Sequence, residues 1–378
     1  MAIRTCIHLF VTAAVSAAFV CATDLADEIT TTAKPEVIVD DTMDDADAGN
    51  KNLEELHALL DSRVRSALRA SDEIGKPVAT WVTQSREELR DFFGLVTPDF
   101  AKAPVMKSKK KTVAGNELEY IELPHPDQVT IRALRMFPKG RSRGIIVLMH
   151  GWPGHPADLF KNTGSGASGE DRGYGLELVD MGWTVYTVYC YHSKHYRGYY
   201  AGLKHAHNFV QLSREARVVG DNVLSIELRK LDYLLSYLDK FERPEKLVFA
   251  GISMGGHYAV LIGALHTGID VTICSSWFDD YYGKYLKEGH PYTMQYLHHE
   301  PIFMDGLFTK LSAKKLAALH YPRKLVFERD PNDLPLDGDK AVEKQVEMEL
   351  GDQDFITVHT HSNMHHFTFK DVLEKLVE

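Results

Sequence analysis

Cysteine is scarce in this 378-residue chain, and two of its four cysteines, Cys6 and Cys21, fall within the first 22 residues. A fold stapled by several disulfides is excluded, because the body has only Cys190 and Cys274 to offer. No Asn-x-Ser/Thr sequon occurs, so no glycosylation signal marks a compartment. After the N-terminus no apolar run approaches the ~18 residues that a membrane span requires, and no transmembrane anchor is expected. Strong charge of one sign is also missing where it would matter. Of the net charge of −10, residues 1–22 carry +1 and residues 23–50 carry −8, which leaves −3 for the rest. So nearly neutral a body offers no footprint for a phosphate backbone, and no nucleic-acid partner is expected.

The N-terminus reads MAIRTCIHLFVTAAVSAAFVCAT, with Arg4 ahead of an apolar run that ends at Val20-Cys21-Ala22. That is the pattern of a secretory signal peptide over residues 1–22, and a secreted, extracytoplasmic protein is expected. Residues 23–50 carry nine acids and hardly a large apolar side chain after Val39. Such a segment cannot bury enough surface to offset the entropy of ordering, so an acidic disordered linker is predicted. From Asn52 to about Arg69 the residues Leu53, Leu56, Leu60, Val64 and Leu68 recur at helical spacing. Ser85-Arg86-Glu87-Glu88 reads as a capping box that opens a second helix running through Phe93. Residues 51–111 are therefore expected to form a short helical N-terminal extension.

After Thr112 the pattern turns to strands. Leu118–Leu123 and Val129–Met136 read as an antiparallel hairpin. Continuous apolar strands then follow at Gly144–Met149, Trp183–Cys190, Leu247–Ile252, Val271–Ser275, Lys324–Phe327 and Phe355–His359. Helical stretches separate them: Tyr174–Met181, Arg214 to about Leu238, Gly256–Leu265, Asp339–Leu350 and Phe369–Val377. This alternation predicts an α/β domain over 112–378, a mostly parallel central sheet covered by helices on both faces. Residues 279–321 interrupt the rhythm and are expected to be a cap-like insertion near the site mouth. Tyr281, Tyr282 and Tyr285 mix there with Lys284, Lys287 and Glu288, too polar for a lipase lid.

Gly251-Ile252-Ser253-Met254-Gly255 fits G-x-S-x-G between an apolar strand and an apolar helix. A turn that sharp leaves no room for side chains around the serine. A serine hydroxyl needs a base to take its proton, and in this context acid and base follow the serine in that order. Among His359, His361, His365 and His366, the first two fall in or at the end of a strand. His365, in His-x-Phe-Thr before the last helix, is the preferred base. The acid should follow the strand Lys324–Phe327, which leaves Glu328, Asp330 and Asp333. Asp330 is preferred because Asp-Pro beyond a strand end forms a turn, with Asp333 as the alternative acid, while Asp279 and Asp280 are outsiders. The oxyanion donors would be the backbone amide of Met254 and that of Trp152, in His150-Gly151-Trp152-Pro153-Gly154-His155 directly after a strand.

MHGWPGH, GISMGGH, LAALHYPRKLVFERDPNDLP and HHFTF together resemble the α/β-hydrolase superfamily, and most of all its dienelactone hydrolase and acetyl xylan esterase-like branch. The resemblance covers about Thr112 to the C-terminus and implies a serine esterase acting on small-molecule or polysaccharide esters without a cofactor. The branch usually carries a glycine shortly before the acid, whereas this chain has Phe327, Glu328 and Arg329, so Asp330 and Asp333 stay open. In the branch's sheet order two strands separate those that carry Cys190 and Cys274. At about 14 Å apart they exceed the ~7 Å that a disulfide allows, and two free buried thiols are expected. A serine peptidase of the prolyl oligopeptidase type shares G-x-S-x-G-G. The roughly 60 residues between linker and sheet cannot form the propeller such an enzyme carries. A catalytically inactive domain used for binding is the other alternative, disfavoured because every required residue type is present. His205 with His207 and His298 with His299 lack a completing ligand, and no metal is expected.

Overall fold

The computed structural model describes residues 45–100, 107–127, 129–152, 154–161, 173–191, 193, 205–279, 284, 304–333, 338–351, 354–363, 365–368 and 372–374. The expected signal peptide, the linker up to residue 44, most of the expected insertion and most of the expected last helix lie outside them. By internal contacts residues 1–58 form one unit and residues 59–378 another.

Nine strands form one sheet: β1 Lys107–Val113, β2 Asn116–Pro124, β3 Thr130–Met136, β4 Ile145–Met149, β5 Thr184–Val188, β6 Leu247–Ile252, β7 Val271–Ser275, β8 Lys324–Arg329 and β9 Ile356–Thr360. Their order is β1-β2-β3-β5-β4-β6-β7-β8-β9. The first three strands are antiparallel, β3 joins β5 antiparallel, and every pairing from β5 to β9 is parallel. Strands β4 to β7 are buried at every position, as continuous apolar runs require when helices cover both faces. Cys190 lies just past β5 and Cys274 in β7, with β4 and β6 between them, and both are free and buried.

Strand β1 lies inside the stretch expected to be helical extension. Its sequence, KSKKKTV, carries no apolar alternation, because an exposed edge strand has no face to bury and lysines discourage further pairing at the edge.

The helices are α1 Asp45–Ser71, α2 Val78–Phe92, α3 Tyr174–Asp180, α4 His205–Val218, α5 Val223–Tyr237, α6 Met254–Leu265, α7 Leu307–Lys310, α8 Ala313–Ala318 and α9 Gly338–Leu350. Three expectations are corrected here. Helix α2 starts at Val78 behind Pro77, so Ser85 is not a cap; it lies buried between Val82 and Leu89 on the core-facing side. The single helix expected from Arg214 to Leu238 is two, because Gly220 turns the chain at φ +77° and Asn222 caps α5 by accepting 2.8 Å from Leu224 N–H. Helix α1 also begins at Asp45 rather than Asn52 and takes in the last residues of the acidic segment.

Helix α2 is seated in the core of the α/β domain: Val82, Leu89 and Phe93 are buried in the same cluster as most of α6. Its Arg86 and Arg90 donate to the last carbonyls of α6, those of Ala264 and Leu265, satisfying acceptors that a helix end otherwise leaves open. Residues Leu316, Ala317 and Ala318 of α8 are buried against α6 and α9. This part of the 279–321 segment thus belongs to the helical layer rather than to a cap.

Candidate active site

Ser253 stands where β6 ends and α6 begins, at φ 55° and ψ −123°. A residue with a side chain occupies that region at a cost of about 1–3 kcal/mol, held by its surroundings. The surroundings are unforgiving. A Cβ on Gly251 would lie 2.0 Å from the Gly255 carbonyl oxygen, and one on Gly255 would lie 2.4 Å from that of Met149. The glycines of the motif are there for close approach, and the turn projects Ser253 at the carboxyl edge of the parallel strands. Met254 opens α6, so its peptide belongs to the electropositive end of that helix.

The loop after β4 passes beside the serine. A Cβ on Gly151 would sit 3.1 Å from Ser253 Cβ, which brings the Gly151-Trp152 backbone alongside the serine. His150, buried behind the loop, bonds Ser193 Oγ at 2.9 Å through Nε2, and the Gly151 carbonyl accepts from Gly154 N–H at 2.8 Å. The half-buried indole of Trp152 packs on the core.

The structure pairs Asp333, not Asp330, with the histidine. His365 Nδ1 donates to Asp333 Oδ2 at 2.7 Å, with Asp333 buried and the imidazole 40% exposed. Asp330 makes no such bond to His365 in the structure, where β8 continues past Phe327 through Glu328 and Arg329, which still pair with His359 and Thr360 of β9. Asp330 is the first residue beyond the strand, fully buried, and its Oδ1 accepts from Asn332 N–H at 2.7 Å and Asn332 Nδ2 at 3.0 Å. Glu328, the third candidate, is committed to Thr368, accepting from its N–H at 3.3 Å and its hydroxyl at 3.2 Å. Among the described residues no hydrogen bond joins Ser253 to His365. Asp279 is buried beyond β7, and Asp280 lies outside the described residues.

His359 and His361 lie in and just after β9, as expected. His366 turns away from Asp333 to Tyr174, whose hydroxyl lies 3.3 Å from its Nδ1 and accepts at 3.3 Å from Phe367 N–H. Tyr174, Glu328 and Thr368 therefore frame the His365 loop, and for Tyr174 no motif in the sequence announces that role. Lys284 is another residue that sequence reasoning passes over. Buried over the Trp277 ring at 4.0 Å, it donates to the Trp277 carbonyl, and burial lowers its pKa to about 8 against the opposing pull of Asp279. Among the described residues no cluster of three or more His, Cys, Asp or Glu could hold a metal ion, and no helix is long and apolar enough to cross a membrane. A cavity of about 510 Å³ between α2 and α5, lined by Phe92, Val219, Arg229 and Met304, shares no residue with the Ser253 site.

No protein-family profile matches the sequence, and a search of the curated proteins finds no relative. Solved structures do match. A chain from Bacteroides fragilis assigned as an acetyl xylan esterase superposes with a TM-score of 0.65 at 15% identity, covering 85% of this chain and 94% of its own. A glucuronoyl esterase from Solibacter usitatus gives 0.53 at 14%, covering 80% and 94%. A glucuronoyl esterase from Teredinibacter turnerae gives 0.50 at 14%, covering 82% and 89%. Identities this low speak to architecture alone, and with the sheet order and the strained serine turn they establish that the chain has the α/β-hydrolase fold.

Proposed function

We propose that the protein is a secreted serine hydrolase that cleaves carboxylic esters through an acyl-serine intermediate, with Ser253, His365 and Asp333 as its triad. The observation that carries this reading is the 2.7 Å bond from His365 to the buried Asp333, two strand ends away from a serine held at positive φ. Ser253 Oγ attacks the acyl carbon while its proton passes to His365 Nε2. Asp333, accepting from Nδ1, keeps the ring in the tautomer that leaves Nε2 free to receive that proton and stabilises the imidazolium. The backbone amides of Met254 and Trp152 take the charge that develops on the carbonyl oxygen. Collapse expels the alcohol, which leaves with the proton from His365. Water, deprotonated by the same ring, then releases the acid from Ser253.

The substrate class proposed is an extracellular acyl ester of a carbohydrate or a small alcohol. It is supported by the signal-like N-terminus and by neighbours that carry the names acetyl xylan esterase and glucuronoyl esterase. The test is labelling with a fluorophosphonate probe, peptide mapping of the adduct and a screen of short acyl esters, repeated on Ser253→Ala. The reading requires an adduct on Ser253 and turnover that the variant lacks. An unlabelled serine on folded protein, or equal turnover by the variant, would overturn it.

A further inference from the structure

We propose that Asp330, the residue the sequence favours as the acid, is a positioning residue: it builds the turn that delivers Asp333 to His365. The inference rests on the triad reading above. A fully buried carboxylate is costly unless its lone pairs are occupied, and the partners of Asp330 Oδ1 lie within the turn itself. Its Oδ1 accepts both the backbone N–H and the side-chain amide of Asn332, and its carbonyl accepts Asp333 N–H at 3.0 Å. An Asx turn and a β-turn are thereby closed over the same four residues, which fixes the direction in which Asp333 leaves the chain.

The turn also springs from a fixed point. Arg329, buried immediately before it, donates to Asp339 at the start of α9 at 2.6 Å, and its carbonyl accepts from His361 N–H at 2.9 Å on β9's side. Strand, helix and base loop are thus tied to one residue, and Asp330 converts that anchorage into the position of Asp333. What the turn uses is the acceptor atom Oδ1, not the charge. Asparagine offers the same atom, so the two roles open to Asp330 separate cleanly: a triad acid must be ionised, whereas a turn builder need only accept.

The experiment compares wild type with Asp330→Asn, Asp330→Ala and Asp333→Asn. It measures kcat, KM and the pH profile on a short acyl ester, together with the downfield proton resonance of the His365–Asp333 hydrogen bond. Asp330→Asn should keep kcat within about threefold and retain the resonance, because the acceptor remains. Asp330→Ala should lower kcat by about 10–100-fold with KM little changed and displace the resonance, as expected when orientation alone is lost. Asp333→Asn should lower kcat by about a thousandfold or more and abolish the resonance. If Asp330→Asn is as inactive as Asp333→Asn, the charge is what matters and the proposal is overturned; if Asp330→Ala matches wild type, the turn has no such role. Should Asp330→Ala not fold, Asp330→Asn still decides between charge and acceptor. Should wild type neither turn over esters nor label at Ser253, the triad reading fails, and the resonance still reports whether Asp330 holds Asp333 against His365.

Discussion

A side-chain carbon built on Gly151 would sit 3.1 Å from Ser253 Cβ and 3.7 Å from its Oγ. The loop after β4 is thus pressed against Ser253, where a side-chain carbon makes the neighbour give by a few tenths of an ångström. Gly151→Ala should leave the fold intact and reduce kcat/KM on short acyl esters by about 10–100-fold, since an ångström of displacement beside the reacting atoms is enough for such a loss. Steady-state kinetics beside a thermal melt checks this. Activity near wild type would show that the loop can retreat and that the Trp152 amide is not held where the oxyanion reading needs it.

Strain at Ser253 predicts that stability and activity trade against each other. Glycine at φ 55° and ψ −123° releases about 1–3 kcal/mol of backbone strain, against about 0.5–1 kcal/mol for the added freedom of the unfolded chain. Ser253→Gly should therefore be inactive yet more stable by about 1 kcal/mol, whereas Ser253→Ala should be inactive without that gain. Chemical denaturation of the three proteins separates them, and a destabilised glycine variant would mean that the serine side chain contributes contacts that outweigh its strain.

Two buried thiols give a third prediction. Cys190 and Cys274 are free, and burial pushes the Cys274 thiol up to about 12, so neither should react with an aromatic disulfide reagent in the native protein. Both should react once the chain is unfolded without reductant. A chain cut after Ala22 that releases no thiol on unfolding would place them in a disulfide, which the two strands between β5 and β7 oppose.

The contrast between what was legible and what was not follows burial. Strands β4 to β7 were readable because helices on both faces leave only apolar runs, and Ser253 because a turn so tight admits only glycine around it. Strand β1 was not readable, since its lysines stay exposed at the sheet edge and bury no apolar face. The carboxylate that bonds His365 was half legible. Glu328, Asp330 and Asp333 all follow the apolar run Lys324–Phe327, and choosing among them depends on where β8 stops, which Glu328 and Arg329 conceal by being charged residues buried inside a strand. The break between α4 and α5 was written in Gly220 and Asn222, a stop followed by a cap. Tyr174 had no signal, because its role exists only once residues almost 200 positions apart are brought together.

Docking of the N-terminal extension depends on Arg90, which forks onto Asp232 at 3.0 and 2.9 Å, with the carboxylate only 3% exposed. Arg90→Ala leaves that charge buried with one fewer donor and should cost about 3 kcal/mol, the effect of breaking a buried pair from one side. Adding Asp232→Asn should restore part of the loss, because the unpaired charge is then gone. Denaturation midpoints for the four members of this cycle give the coupling directly. Simple additivity would mean that solvent reaches the pair and screens it.

The same carboxylate ties the extension to pH. His266, buried at the end of α6, lies 2.8 Å from Asp232 through Nδ1 and 2.9 Å from Asp239 through Nε2, while its carbonyl accepts from Arg323. Burial favours the neutral ring, but hydrogen bonds to the two acids outweigh it and raise the pKa above the ordinary 6.5. A histidine whose pKa is raised by folding contributes stability that is fully present below about 6.5 and is lost as pH climbs through the raised value. Asp232 works in the other direction. Burial opposes its ionisation, hydrogen bonds from His266 and Arg90 outweigh that and lower its pKa, and its contribution is lost only on acidification. Between pH 6 and 9 the wild type should therefore lose stability relative to His266→Gln, whose amide does not titrate. A difference between the two proteins that stays constant across that range would show that His266 is neutral in the folded state and that the two acids hold it by hydrogen bonding alone.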